Sequence, residues 1–292
     1  MGGVTSRHEN FYSQQPRDVH ICSREEAADI LARAEHVDNY RSACAACALN
    51  ARARRDQDYT PRQPTADITK YLAAIEQFPN WLKDYLPPIL YIIFLASSAD
   101  GGMPHTRQPN VICLPQYFDI ETVRGRETLM HECIHIHQRT YPQLWDRIYF
   151  DIFHLEPYSD HRVADPVLSR ASGSGDTLPD SLAQRRRYNP DTFQTPYYIW
   201  KGRWVAVPIF NNKDAPTLSD IKIAYYNVKS GAWQSFMPPE MEEFFGGGLS
   251  VAQAEHPNEL VAYWLASPGQ RPTNLQRELI AHIEELSNDE YY

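Results

Sequence analysis

The chain has 292 residues, a formal net charge of −9, and 42% hydrophobic and 12% aromatic residues. This composition is that of a folded globular protein, which excludes a disordered chain, and the negative charge argues against general nucleic-acid binding. Five cysteines without a secretory signal predict a reducing compartment and a protein that is not secreted.

The first 65 residues are predicted to form an N-terminal extension before a larger domain that covers residues 66–292. Alanine-rich patterns predict one helix from Arg24 to Ala34 and a second around Tyr40 to Arg54. A segment rich in Pro, Gln and Asp, from Gln57 to Thr65, has the composition of a linker. An arm, a pro-segment and a docking element all remain open as its role.

Two short motifs lie in this extension. The first six residues match M-G-x-x-x-[ST], the pattern for myristoylation of Gly2, and one acyl chain would give only weak peripheral attachment to a membrane. Cys44 and Cys47 form a C-x-x-C, but no second pair completes a zinc site and no β-α-β pattern surrounds them. We therefore expect ordinary reduced thiols at these two positions.

The first part of the larger domain predicts a helix followed by two strands. A helix from Ile68 to Gln77 precedes Ile89 to Ala96, an apolar run that is too short to cross a membrane and suits a buried strand. After a loop from Ser97 to Asn110, Val111 to Pro115 predicts a second short strand that ends at a proline.

The next predicted helix, from Thr122 to Thr140, carries the H-E-x-x-H motif at residues 131–135. Residues four apart lie on one face of a helix, so His131 and His135 would aim two imidazoles at one point, as a tetrahedral zinc site requires. Glu132 lies off that line, within reach of a water that the metal would activate, and is the candidate general base. The motif therefore predicts zinc-dependent hydrolysis.

Two alternatives to this interpretation remain open. His131 and His135 could be a pair of structural histidines, because the motif also occurs by chance. If the segment were a strand, His135 and His137 would share a face and form an H-x-H metal site, although the helical pattern is longer than a typical strand.

A third metal ligand is expected further along the chain. Residues 255–264 predict a second helix, entered at Pro257, with Glu259 in its first turn. Glu259 would complete a site that two histidines leave short of protein ligands. Its alternative role is to stabilise the helix by placing a negative charge near the N-terminus.

The H-E-x-x-H motif and the later helix with Asn-Glu-x-x-Ala at residues 258–262 resemble the gluzincin group of metallopeptidases. The resemblance runs through about half of the chain, and the long insertion from Arg139 to Asn258 departs from the spacing of many gluzincins. It implies a zincin-like fold, Glu259 as the third zinc ligand and a peptide substrate in extended form. In zincins an edge strand before the metal helix pairs with the substrate, and Val111 to Leu114 stands where that strand is expected.

Two loops, residues 103–107 and 188–192, resemble segments around the cleft of zincin-like proteins. His105 or Arg107 in the first loop could bind a substrate carbonyl or carboxylate, although such side chains are more often solvated or paired. Four residues could donate a hydrogen bond to a developing oxyanion. These are His256, Tyr263, Tyr197 and Tyr198, and His256 could instead cap the helix entrance.

The remaining sequence predicts strands and a terminal helix. Tyr197 to Phe210 and Ile221 to Phe236 alternate as antiparallel strands do, with a turn at residues 229–231. Residues 171–179 predict an exposed loop, and the basic run of residues 185–187 is expected to be solvated. Leu275 to Leu286 predicts the last helix.

Together these features predict an α+β, zincin-like domain with an H-E-x-x-H helix, a small mixed or antiparallel sheet and a helical C-terminal part. The expected function is that of a zinc-dependent peptidase with metal ligands His131, His135 and Glu259, Glu132 as general base, and His256 and Tyr263 as further catalytic candidates. Its substrate would be a peptide or protein, with no nucleic-acid partner, in the cytoplasm or a virion. The alternatives are a non-catalytic structural or virion-associated protein and a metal hydrolase of a non-peptide amide or ester.

Overall fold

A computed structural model describes residues 18–53, 59–158, 178–267, 269 and 272–288. Within these ranges the fold is α+β, as predicted, with helices packed around a four-stranded mixed sheet and a five-stranded antiparallel sheet. The myristoylation pattern and most of the loop predicted at residues 171–179 lie outside the described residues. None of the helices in these ranges is both long and apolar enough to cross a bilayer.

The mixed sheet has the strand order β1-β2-β4-β3. Strands β1, β2 and β4 run parallel, whereas β3 pairs antiparallel with β4. The apolar run that predicted a buried strand is β2, which lies between β1 and β4 with most of its residues buried. The four strands are Asp18–Ile21 (β1), Ile89–Leu95 (β2), His105–Arg107 (β3) and Val111–Pro115 (β4).

The two edge strands of this sheet are β1 and β3, and the prediction that Val111 to Leu114 is an edge strand was wrong. The chain reverses after Arg107 and lays β3 along β4, with Arg107 opposite Val111 and His105 opposite Cys113. Strand β3 therefore occupies the side of β4 with which an extended substrate would have to pair. It lies inside the segment predicted as a loop, because three residues are too few to show an alternating pattern.

The N-terminal helices are longer or more divided than predicted. The first continues to Asp38, and the predicted second helix is interrupted at Cys47, whose backbone is extended. Strand β1 pairs with β2, so this part of the predicted extension belongs to the mixed sheet, while the domain division itself stays a prediction. The helices are Arg24–Asp38 (α1), Tyr40–Ala46 (α2), Ala48–Ala53 (α3), Ile68–Glu76 (α4) and Asn80–Lys83 (α5).

The H-E-x-x-H segment is helical, as predicted, and forms part of α6, Val123–Thr140. Its N-cap is Thr122, whose hydroxyl accepts a hydrogen bond from the N–H of Gly125 at 2.9 Å. The strand alternative with an H-x-H metal site was wrong. His137 instead points into the core, where its Nδ1 accepts a hydrogen bond from Trp145 at 3.0 Å and burial lowers its pKa to about 3.

Helix α6 leads directly into α7, Pro142–Phe153, a helix that was not predicted. The antiparallel sheet follows, with its five strands in chain order. It contains the predicted antiparallel strands, and the turn at residues 229–231 lies between the last two. The elements are Leu155–Tyr158 (β5), Asp180–Ala183 (α8), Tyr197–Trp200 (β6), Trp204–Phe210 (β7), Ile221–Asn227 (β8) and Trp233–Gln234 (β9).

Four helices complete the described chain and bring its C-terminal part onto α6. Their apolar residues join those of α6, α7 and both sheets in one large core, in which Ile134 of α6 and Val261 of α11 have no measurable exposure. The helices are Pro239–Phe245 (α9), Val251–Ala254 (α10), Pro257–Ala266 (α11) and Asn274–Asn288 (α12).

Gly125 controls how closely α6 approaches the preceding turn. A Cβ at this position would lie 1.9 Å from the carbonyl oxygen of Asp119, which is backbone and cannot rotate away. We expect Gly125→Ala to lower the free energy of unfolding by about 3 kcal/mol, as overpacking against a rigid neighbour does. Urea unfolding of the metal-free protein would measure this change.

The matched control for this experiment is Val123→Ala, since the Val123 side chain is 64% exposed two residues earlier on α6. Its free energy of unfolding should change by no more than about 0.5 kcal/mol. Equal stability of Gly125→Ala and the parent would contradict the close packing of this turn.

Candidate metal centre

Three side chains from two helices converge on one point. The Nε2 atoms of His131 and His135 on α6 lie 3.0 Å apart. The Oε2 atom of Glu259 on α11 lies 3.4 Å from Nε2 of His131 and 3.6 Å from Nε2 of His135. Two imidazole nitrogens and one carboxylate oxygen therefore form a nearly regular triangle at the interface of α6 and α11.

These separations fit a tetrahedral metal ion. With nitrogen and oxygen ligands about 2.0 Å from zinc, the edges of a tetrahedron are roughly 3.3 Å long. The three measured edges, 3.0, 3.4 and 3.6 Å, bracket that length. Neutral imidazole and carboxylate are also ligands that zinc accepts in open sites, where a fourth position faces the solvent.

Helix α11 is started by two neighbouring residues that place Glu259 in its first turn. Pro257 occupies the first helical position, and the Nδ1 atom of His256 accepts a hydrogen bond from the N–H of Asn258 at 3.1 Å. The Nε2 atom of His256 contacts the carbonyl oxygen of Pro196 at 3.0 Å. Both ring nitrogens are thus used to anchor the start of the helix.

A buried hydrogen-bond network holds α6, α7 and α11 together beside the triad. The amide nitrogen of Gln138 donates to the carbonyl of Asn258 and to the hydroxyl of Tyr149, each at 3.1 Å. The Tyr149 hydroxyl donates in turn to Oδ1 of Asn258 at 2.9 Å. Because all three side chains are buried, loss of one member would leave the others unsatisfied.

The same network orients a ligand. Oε1 of Gln138 lies 2.8 Å from Nδ1 of His135, and a carbonyl oxygen can only accept. Nδ1 of His135 must therefore carry a proton, so Nε2 is the nitrogen whose lone pair becomes available to a metal ion when the ring is neutral. The carboxylate of Glu259, on α11, is oriented in a similar way. Asn189 donates a hydrogen bond to its Oε1 atom at 2.7 Å, which leaves Oε2 for the triad.

The charges at the centre favour a bound cation. Although burial opposes it, the charge of His135 and hydrogen bonds from both histidines hold the pKa of Glu259 well below its usual value. Burial alone would lower the pKa of His135, but the carboxylates of Glu259 and Asp191 raise it to about 9. A metal ion binding here would release that proton, because the ligand form of histidine is neutral.

Glu132 is the carboxylate next to the triad. It is 3% exposed, and its Oε2 atom is buried without a hydrogen-bond partner among the described residues. Burial, together with the nearby charges of Asp191 and Glu259, raises the pKa of Glu132 well above its ordinary value. A buried acidic oxygen with no partner is costly and is characteristic of functional sites.

A cleft of about 510 Å³ opens over the triad. Its walls include His131, Glu132, Glu259 and the predicted candidate Tyr263. Tyr263 lies four residues after Glu259 on the same face of α11, and its ring centroid is 4.5 Å from that of His131. Burial and neighbouring carboxylates raise its pKa to about 12, so the phenol keeps its proton at neutral pH.

The other oxyanion candidates do not line this cleft. His256 borders a separate, smaller cavity, and burial lowers its pKa to about 4. Its helix-capping alternative is therefore the one that the geometry favours. The Tyr198 hydroxyl donates to Asp146, and the ring of Tyr197 packs under the guanidinium of Arg186.

The two loops that resemble cleft segments both contribute to its walls, but Arg107 does not. The Arg107 guanidinium is 1% exposed and is paired with Asp38 and Glu35, each at 2.7 Å. Its proposed contact with substrate was wrong, and the paired alternative was correct. His105 borders the cleft, but its Nδ1 contacts the Met103 carbonyl and its Nε2 contacts Tyr59.

Several residues of the site were not identified from the sequence. Asn189 and Asp191 act through contacts with residues distant in the chain, for which no local pattern exists. Gln138 contacts His135 one turn earlier on α6, but its contact with Asn258 joins residues that are equally far apart. The prediction that residues 185–187 are simply solvated was wrong for Arg187. Its Nη1 donates to both carboxylate oxygens of Glu255, at 2.6 and 2.7 Å, inside the protein.

Among the described residues, His131, His135 and Glu259 are the one set of three or more His, Cys, Asp or Glu side chains close enough to share a metal ion. Cys44 and Cys47 form no disulfide and are not part of such a set. Comparisons of the chain with protein-family models, with curated proteins and with solved structures find no match.

The hydrogen bond from Gln138 to His135 should contribute to metal affinity. We expect Gln138→Met to weaken zinc binding by about 10- to 100-fold, the usual cost of removing an acceptor behind a histidine ligand. Gln138→Glu, which keeps an acceptor oxygen, should bind zinc far more tightly than Gln138→Met. Competition with a chromophoric chelator would measure the affinities.

Circular dichroism spectra of both variants would show whether the fold is retained. An unchanged zinc affinity in a folded Gln138→Met protein would contradict the assigned orientation of His135.

Proposed function

We propose that the protein is a zinc-dependent hydrolase that cleaves amide bonds, with peptides as its substrates. The observation that carries the proposal is the placement of Glu132 beside the triangle of His131, His135 and Glu259 in one cleft. Glu132 is buried, and its Oε2 atom has no hydrogen-bond partner in the part of the chain that the structure describes. The gluzincin resemblance supports the same assignment, since the third ligand expected from it lies at the triad. A purely structural metal site would not need this neighbouring carboxylate.

His131, His135 and Glu259 would hold the zinc ion. When bound, zinc supplies Lewis acidity toward the carbonyl of the scissile bond and lowers the pKa of water. Asn189 and Gln138 orient two of the ligands through their hydrogen bonds to Glu259 and His135.

Glu132 would act as the general base and then as the general acid. In its ionised form it takes a proton from the attacking water, and it passes that proton to the amide nitrogen as the C–N bond breaks. The products are a carboxylic acid and an amine, so the proton count balances.

Tyr263 would stabilise the oxyanion that develops on the carbonyl oxygen. It lies against His131 at the wall of the cleft, and its hydroxyl is protonated at neutral pH. A donor aimed at the developing charge lowers the barrier more than it stabilises the substrate.

One observation favours the second candidate, hydrolysis of a non-peptide amide or ester. The backbone N–H of Thr106, in the middle of edge strand β3, donates to Oδ1 of Asp191 at 2.7 Å. The carbonyl of the same residue lies 3.4 Å from Nη2 of Arg139. An extended peptide could not pair with β3 at this residue, so substrate recognition has to use other groups of the cleft.

The proposal predicts that Glu132→Gln removes turnover and keeps the metal. The amide cannot take a proton from water, so kcat should fall by at least about 100-fold, a typical contribution of a general base. The measurement is hydrolysis of quenched fluorescent peptides and small acyl amides by zinc-loaded protein, with metal content determined in parallel.

Glu127→Gln is the matched control, because Glu127 lines the same cleft five residues earlier on α6 and bonds only Ser267 among the described residues. Its turnover should stay close to that of the parent. If Glu132→Gln and the parent hydrolysed a substrate at the same rate, Glu132 would not be the base. A zinc-loaded parent that cleaves none of these substrates would favour a non-catalytic role.

A further inference from the structure

The cleft is closed on the side of the mixed sheet. Asp191 accepts hydrogen bonds from both the N–H and the hydroxyl of Thr106, at 2.7 and 2.6 Å. The Nη2 atom of Arg139 lies 3.8 Å from Oδ1 of the same carboxylate. The residues of β3 are at most 2% exposed. This wall prevents a polypeptide from pairing with β3 at Thr106, and the cleft volume of about 510 Å³ is in the range of small-molecule sites.

Arg187 is a charged group of the cleft that the catalytic steps do not use. It is 7% exposed and lines the cleft. Its Nη1 atom makes both hydrogen bonds to Glu255, while its Nε atom is buried without a partner among the described residues. The edge of the guanidinium formed by Nε and Nη2 is the edge that binds a carboxylate with two parallel hydrogen bonds.

Arg187 shares the cleft with the metal ligands. Asn189, two residues after Arg187, lines the same cleft and donates to Glu259. Because this cleft of about 510 Å³ is small, a carboxylate bound by Arg187 would lie one or two substrate residues beyond the bond held over the triad. Because Glu255 already balances the charge of Arg187, this binding would depend on directed hydrogen bonds more than on net attraction.

The rim of the cleft is apolar where a substrate side chain would enter. Met103 and Tyr263 are 40% and 39% exposed, high values for such side chains, and both line the cleft together with Ala252 and Ala266. This surface suits small apolar side chains beside the scissile bond.

We propose that the substrates are short peptides or N-acyl amino acids that end in a free carboxylate, and that Arg187 binds this carboxylate one or two residues beyond the scissile bond. The inference rests on the proposed hydrolase function and narrows its substrate class. This substrate class includes both short peptides and non-peptide amides. Both kinds of molecule would present an amide bond and a carboxylate at the same spacing.

The test compares N-acetyl-alanyl-alanine with its C-terminal carboxamide, two molecules that differ only in the terminal group. Binding to zinc-incubated Glu132→Gln protein, measured by calorimetry, reports recognition without turnover. We expect the acid to bind at least about 10-fold more tightly than the amide, as a bidentate charge-assisted pair requires.

In the same background, Arg187→Lys should reduce the preference for the acid to nearly none, because lysine keeps the charge beside Glu255 but lacks the planar pair of donors. Arg124→Lys is the control, since Arg124 is an exposed arginine that lines the same cleft. It should keep the preference of the parent.

Equal affinity for acid and amide, a preference that survives Arg187→Lys, or binding of neither probe at roughly 10 mM, a very weak affinity, would overturn the inference. Hydrolysis by the zinc-loaded parent is scored separately. Cleavage of the acid and the amide at equal rates would leave the hydrolase function in place and remove only the role of Arg187.

Discussion

The contact between α6 and α11 is the constraint on which the rest of the site depends. Gln138 and Asn258 are 120 residues apart in the chain, and the hydrogen bond between them fixes the two helices at the level of the triad. Tyr149 closes the same network from α7. If this spacing changed, the two histidines and Glu259 would no longer meet, because they come from different helices.

The helices around the site are largely encoded by local sequence. The 3.6-residue pattern and the Thr122 cap place α6, and Pro257 starts α11. Four-residue spacing then predicts that His131 and His135 meet, and that Tyr263 shares a face with Glu259. These features could be predicted because each depends on residues within one or two turns.

Other parts of the fold depend on contacts that no local pattern reports. Strand β3 has only three residues, and it is a strand because β4 offers an edge beside it. The roles of Asn189 and Arg187 follow from the position of their loop against α10 and α11, and a loop sequence does not encode that position. Arg107 could not be assigned either, since its burial depends on Asp38 of α1.

The charged groups near the cleft divide into two kinds. Arg107 is fully paired away from the cleft, as is typical of buried charges with a structural role. Glu132 and Arg187 border the cleft and keep a buried atom without a partner among the described residues. Leaving such atoms unsatisfied costs stability, so their presence in one cleft is consistent with groups that await a substrate.

The most direct test of the three-ligand centre is the metal content of the purified protein and of Glu259→Ala after dialysis against one trace-metal buffer containing zinc. We expect near-stoichiometric zinc in the parent and a clear loss in the variant, because two histidines alone leave the site incomplete. Glu127→Gln, dialysed beside them, should retain the zinc. Absence of zinc from the parent, or equal zinc in the parent and in Glu259→Ala, would contradict the three-ligand centre.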